Sequence, residues 1–377
     1  MSLSILQKAA LALFAVGPAL SAAPIYDRAA IAIAERVADW QIANPAPRWK
    51  STDWHNAAFY AGVIALSEVS SSPRFKAAMV RMGETNAWKL GERPYHADDH
   101  AVGQTYADLY SLEHDPRMIG PMRSTFDFIL AHQKDDNLLF DKVRNPDFLD
   151  RWSWCDSLFM SPPAWAKLSL ATGDSRYLDF AASKWWVTSD YLYQSEEHLY
   201  FRDSTYKTQR ERNGKKVFWS RGNGWVIAGA VRMLQAMPKE YPSRPRFLAQ
   251  YQEMALAISA LQTPDGFWHS SLLDPGSYPM KESSGTGFFC FALAWGLNQG
   301  VLDRSRVEPS VRKAWVALQS CVEPSGRLNH VQPVGSTPVI FDEESTEPYG
   351  VGAFLLAASE MAKLSQSTDA SSKSLTP

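Results

Sequence analysis

The chain has 377 residues, 45% hydrophobic and 21% charged, with a formal net charge of −2. These are globular values, and the balance of charge argues against a nucleic-acid binder, which is usually basic. Three cysteines, Cys155, Cys290 and Cys321, with no CxxC spacing, argue against a disulfide scaffold or a zinc site.

At the N-terminus, Lys8 precedes the apolar run AALALFAVGPAL, and SAA follows at 21–23. The run is too short to span a bilayer, so residues 1–23 read as an export signal. The mature chain is then expected in the periplasm or outside the cell, with no membrane attachment once the signal is removed. A buried first helix is the plainer alternative. From there to 364 helical spacing dominates. Short polar or Gly-containing loops lead into helices rich in aromatics, Ala and Gly: NAAFYAGVIAL (56–66), GQTYADLY (103–110), DSLFMSPPAWAKL (156–168), NGWVIAGAVRML (223–234), GTGFFCFALAWGL (285–297) and PYGVGAFLLAA (348–358). Between them lie amphipathic stretches at 73–90, 116–133, 175–193 and 246–261, the last stopping at the TPDG turn. A helix apolar all round belongs inside, and one with a polar face outside. The chain therefore reads as six helical hairpins, expected to close into an all-α (α/α)6 barrel over 24–364, with a solenoid of the same hairpins as the alternative. Residues 194–220 and 262–284 are less regular, with a short hairpin expected at NGK. The tail 365–377 is polar and expected to be disordered.

The loops before the inner helices carry the polar groups. They supply Asp53, Trp54, His55 and Asn56; His96, Asp98, Asp99 and His100; Asp156; Trp219, Arg221, Asn223 and Trp225; Lys281, Glu282, Ser283 and Ser284; and Glu343, Glu344 and Glu347. Ring closure would bring six such loops to one mouth holding carboxylates, cations and indoles, which suits an anionic sugar. Asp156 sits among Trp152, Trp154, Cys155, Leu158, Phe159 and Met160. Burial there would raise its pKa and suit a general acid, whereas the plain alternative is a helix N-cap. HADDH has the residue types of a metal site but no HExxH pairing. GxGxxG, GK[ST] and GxSxG are all absent.

HADDHAVGQTYADLY (96–110), WCDSLFMSPPAWAKLSLATGD (154–174), FWSRGNGWVIAGAVRML (218–234) and SSGTGFFCFALAWGL (283–297) resemble motifs of the unsaturated rhamnogalacturonyl hydrolases, glycoside hydrolase family 105, relatives of the family 88 unsaturated glucuronyl hydrolases. The resemblance runs from about residue 30 to 362. It implies an (α/α)6 barrel that removes a Δ4,5-unsaturated uronic acid from the non-reducing end of a lyase-generated oligosaccharide, with rhamnose as the default next sugar. It implies Asp156 as the catalytic acid, with the second acid in HADDH placed on Asp99 and Asp98 its rival. Trp219, Arg221 and Trp225 fall on the substrate pocket, and Trp54, Asp98, His100, Arg202 and Asn223 join them as candidate substrate contacts. Arg202, in LYFRDSTY, stands where many members carry His. No cofactor or metal is expected, the partner is the oligosaccharide, and the chain is a monomer or homodimer.

One residue then suffices for the chemistry, giving a proton to C4 of the enol ether and later activating water. A conventional inverting glycosidase is the alternative, with carboxyls roughly 6.5–9.5 Å apart. A periplasmic carbohydrate-binding protein is the non-enzymatic reading. An epimerase would need a histidine pair, which His55, His96, His100 and His198 do not announce.

Overall fold

A computed structural model describes residues 26–364. The expected signal at 1–23 and the expected disorder at 365–377 lie outside the described residues. In chain order the helices are α1 (Arg28–Ala43), α2 (Trp54–Val69), α3 (Arg74–Thr85), α4 (Ala97–His100), α5 (Gly103–Glu113), α6 (Gly120–Ala131), α7 (Ser157–Met160), α8 (Pro162–Thr172), α9 (Ser175–Leu192), α10 (Ser220–Ala236), α11 (Arg244–Ala260), α12 (Ser283–Asn298), α13 (Arg304–Gln319) and α14 (Pro348–Leu364).

The ring closes. Helices α2, α5, α8, α10, α12 and α14 each pack on the next, and α14 returns to α2. That closure selects the barrel over the solenoid. At the α14–α2 seam the backbones touch: a Cβ added to Gly62 would stand 2.6 Å from the Gly352 carbonyl oxygen. No side chain fits between helices so close. The inner helices are buried nearly all round, as their composition requires, and α10 has one exposed residue, Gln235. The outer helices bury one face each; α9, for example, turns in Tyr177, Leu178, Ala181, Trp185 and Trp186. Phe126 of α6 stacks on Trp165 of α8 with centroids 3.8 Å apart.

Four details depart from the periodicity. Among the described residues no helix follows α14; α1 packs on it as the outer partner of the sixth hairpin, and Asp27 donates its backbone N–H to the Ala362 carbonyl at 3.0 Å. The stretch 73–90 stops being helical at Thr85, because Ala87 and Trp88 take positive φ and the Trp88 ring folds back over Gly83. The stretch 156–168 divides at Ser161, where Pro162 and Pro163 bring no N–H. A two-residue ladder, β1 (Tyr193–Gln194) with β2 (Leu199–Tyr200), precedes the NGK turn, which itself forms with a single bridge, Arg210 to Lys216. All three cysteines are buried and unpaired.

Candidate active site

One cavity opens where the inner helices begin. It has a volume of about 220 Å³ and is lined by Trp54, Asp98, Trp154, Asp156, Met160, Arg202, Trp219, Arg221, Trp225, Val334 and Gly335. Its floor is buried, while Val334 is 47% exposed and forms part of the rim. Among the described residues no group of three or more His, Cys, Asp and Glu is placed to hold a metal ion.

The short helix α4 decides between the two acids of HADDH. Successive helical side chains diverge by about 100°, so Asp98 and Asp99 cannot face the same way. Asp98 lines the cavity. Asp99 turns to Arg93, accepting its backbone N–H at 2.7 Å and its Nε–H at 3.1 Å. It also packs on Gly91, where an added Cβ would lie 2.3 Å from the Asp99 carboxyl carbon. The expectation for Asp99 is thus corrected: its carboxylate holds the 91–93 turn. His100, another candidate contact, is corrected likewise. Its ring nitrogens lie 2.6 Å from Ser161 Oγ and 2.7 Å from the Pro94 carbonyl, outside the cavity lining.

Asp156 reaches the cavity through a strand-like pairing. Trp154 bridges Asp203, and Cys155 N–H donates to the Arg202 carbonyl at 2.7 Å. This sets Arg202 beside the acid, with Nε 3.4 Å from Asp156 Oδ2. Arg202 is held from behind by Asp203 at 2.7 Å and lies over the Phe140 ring. Asp156 stands at the start of α7, yet its side chain makes no capping hydrogen bond, so capping does not account for it. Burial raises its pKa, while Arg202 and Arg221 pull the other way. Burial and the neighbouring Asp156 push Asp98 up to about 7. Two acids in one poorly solvated cavity resist double ionisation, so near neutral pH the pair tends to keep a proton.

Arg221 is 1% exposed. It donates to the carbonyls of Gln332 and, at 2.9 Å, Pro333, while its Nε–H has no acceptor. Its guanidinium lies over both Trp219 and Tyr349. Trp54 stacks on His55 and Tyr349 and meets Trp225 edge-on. Asn223 does not line the cavity. Its side chain accepts Tyr200 N–H at 2.7 Å and donates to the Tyr200 and Trp219 carbonyls, pinning β2 to α10. That corrects its reading as a substrate contact.

Of the other loop groups, Glu282 caps α12 through Ser284 and Gly285, and Glu347 pairs with Arg48. Neither lines the cavity. The sequence reading missed Val334 and Gly335 and named Trp154 and Met160 only as surroundings of Asp156. Trp154 and Met160 flank Asp156 closely enough to have been found. Val334 and Gly335 come from a segment without periodicity.

The chain matches the family model described as Glycosyl Hydrolase Family 88 over residues 26–365. It is 38% identical over 349 residues to the unsaturated 3S-rhamnoglycuronyl hydrolase of Alteromonas sp. (strain LOR), covering 87% of this chain and 84% of that protein. It is 37% identical over 337 residues to a protein of the same name from Formosa agariphila, covering 87% and 89%. Among solved structures it resembles a glycosyl hydrolase family 88 protein from Bacteroides vulgatus, with a TM-score of 0.81, 30% identity and coverage of 89% of this chain and 99% of that one.

The chain belongs to glycosyl hydrolase family 88, the relative of the family 105 that its motifs resemble, and is a glycoside hydrolase.

Proposed function

For this family 88 hydrolase we propose removal of a Δ4,5-unsaturated uronic acid from the non-reducing end of an oligosaccharide, by hydration of the C4=C5 enol ether. The observation that carries the reading is the composition of one cavity: Asp98 and Asp156 together with Arg202, Arg221 and the indoles of Trp54, Trp154, Trp219 and Trp225. Rhamnose is the proposed next sugar, since the two curated relatives are named for rhamnoglycuronyl substrates.

Asp156 gives its proton to C4, and positive charge develops at C5 and the ring oxygen. The resulting carboxylate then takes a proton from water as the water oxygen bonds to C5. The hemiketal opens and the second sugar leaves with its bridging oxygen. Asp98 takes the place assigned from sequence to Asp99: the two acids hold a proton between them, Asp156 passes it to C4, and the charge left on the pair steadies the developing positive charge. Arg221, with Nε–H unpaired, receives the uronate carboxylate, and Trp219 and Trp225 stack on the ring. Arg202, fixed by Asp203, orients Asp156.

The test is reaction of a lyase-generated disaccharide in heavy water and in ¹⁸O water, read early. The hydration route predicts deuterium at C4 and labelled oxygen at C5. Labelled oxygen at C1, with the double bond intact, would replace it by the inverting route.

A further inference from the structure

The most heavily bonded residue at the site does not line the cavity. Gln332 is fully buried. Its side-chain Oε1 accepts Trp219 Nε1–H at 3.0 Å and Ser270 Oγ–H at 2.7 Å. Its Nε2 donates to the Thr337 carbonyl at 2.8 Å. Its own carbonyl accepts from Arg221 and from Tyr349 Oη at 2.6 Å, and its N–H points to Glu282 at 3.3 Å. An indole N–H can only donate, so the amide orientation is fixed by its partners. Glutamate would keep the acceptor but lose the donor to Thr337, and would set a charge beside Glu282. Methionine would fill the volume and leave the indole N–H and the Ser270 O–H without their acceptor and the Thr337 carbonyl without its donor.

The consequence is geometric. Trp219 and Arg221 belong to the start of α10, whereas Val334 and Gly335 belong to the segment before α14. Gln332 joins the two, and Ser270 extends the joint by accepting Val339 N–H at 3.2 Å. An added Cβ at Gly335 would come no closer than 3.8 Å to any atom beyond its chain neighbours, so nothing packs tightly on the rim at that position, and the hydrogen bonds of Gln332 tie the segment down.

We infer that Gln332 is a positioning residue for substrate binding: it sets the plane of the Trp219 ring and the seat of Arg221, and ties both to the rim formed by Val334 and Gly335. The inference rests on the reading of the cavity as a uronate site. The experiment is Gln332→Met, assayed on a lyase-generated unsaturated disaccharide, alone and combined with Trp219→Phe. The expected result is a KM raised about tenfold, the loss of one satisfied hydrogen-bond set, with kcat changed less than about threefold. The pH profile stays in place, because Asp98 and Asp156 are untouched. In the Trp219→Phe background Gln332→Met adds little further, since the ring it orients through that bond is gone. The Trp219 contribution to tryptophan emission, taken as the difference between each protein and its Trp219→Phe counterpart, shifts when Gln332 is replaced. Additive KM effects, an equal fall in kcat at constant KM, or an unmoved Trp219 emission would each overturn the inference. Should Gln332→Met not fold, Ser270→Ala removes one bond to the same amide, and KM should rise by about twofold to threefold; no rise there overturns it equally. Absence of turnover by the parent enzyme would count against the proposed function instead, while the emission comparison would still test the positioning of Trp219.

Discussion

The two ends of the barrel hold cavities of similar volume and the same balance of charge, yet they are built on opposite plans. The mouth, about 220 Å³, is lined by two acids and two arginines. The base, about 240 Å³, is lined by Glu68, Asp108 and Glu360 with Lys167, Arg232 and Lys363. At the base every charge meets an opposite one: Asp108 takes Lys167 and Arg232, and Lys363 lies 2.9 Å from Glu360 and 3.5 Å from Glu68. Asn298 adds a hydrogen bond to Glu360 at 2.7 Å. At the mouth the arginines are committed elsewhere, Arg202 to Asp203 and Arg221 to two backbone carbonyls. The acids keep only loose partners, Arg202 at 3.4 Å from Asp156 and His96 at 3.8 Å from Asp98. Equal numbers of charges therefore say little; what separates a structural cluster from a chemical one is whether the protein finishes the pairing itself.

Substitutions at the two ends should then fail in different currencies. The largest expected effect is at Asp156. Asp156→Asn removes the proton donor at nearly constant size, and turnover should fall by about 10³–10⁴ while the melting temperature holds or rises. Steady-state rates and a thermal melt check both, and a variant with near-normal turnover would remove Asp156 from its role. At the base the pattern reverses. Asp108→Ala leaves Lys167 and Arg232 without their carboxylate, and stability should drop by about 3 kcal/mol, with kcat of the folded protein unchanged. Denaturant unfolding measures the drop. A loss of kcat in folded Asp108→Ala would show that the two ends are coupled.

The same contrast explains what could be read from sequence. The barrel was legible because inner helices such as α12 are apolar on every face and outer ones such as α9 on one. Asp156 was legible because a lone acid among aromatics has few structural uses. The choice between Asp98 and Asp99 was not, since it depends on how the four residues of α4 are turned, and the side chain of the preceding His96 sets that by accepting Asp98 N–H. His100 and Asn223 carried the right chemistry but were claimed by Ser161, Pro94 and Tyr200, partners distant in sequence or fixed only by the fold. Gln332 carried no sequence signal, because a residue that works through six hydrogen bonds, five of them to other segments, leaves no periodicity.

A smaller effect is expected at Arg221. Arg221→Lys keeps the charge but loses the planar fork that serves two carbonyls and leaves Nε–H free. KM for an unsaturated uronide should rise about tenfold, close to the worth of one hydrogen bond, with kcat less affected. An unchanged KM would pass the carboxylate to Arg202.

The last effect is the most direct reading of the unfinished mouth. Asp98 is held near pKa 7 in the folded chain, above the ordinary carboxylate range it regains on unfolding. Between about pH 4 and 7 the folded state therefore binds more protons than the unfolded state. Stability from this group is fully present below the unfolded pKa and is lost as pH rises through the folded one. Asp98→Asn does not titrate, so it escapes that loss. The melting temperature of Asp98→Asn minus that of the parent should widen from pH 4 to pH 7 and stay level above it. A gap for Asp98→Asn that stays flat or narrows over pH 4 to 7 would mean that Asp98 is ionised at neutral pH, already stabilised by Arg93 or Arg202. The mouth would then be finished like the base, and the proton for C4 would have to rest on Asp156, where burial favours it.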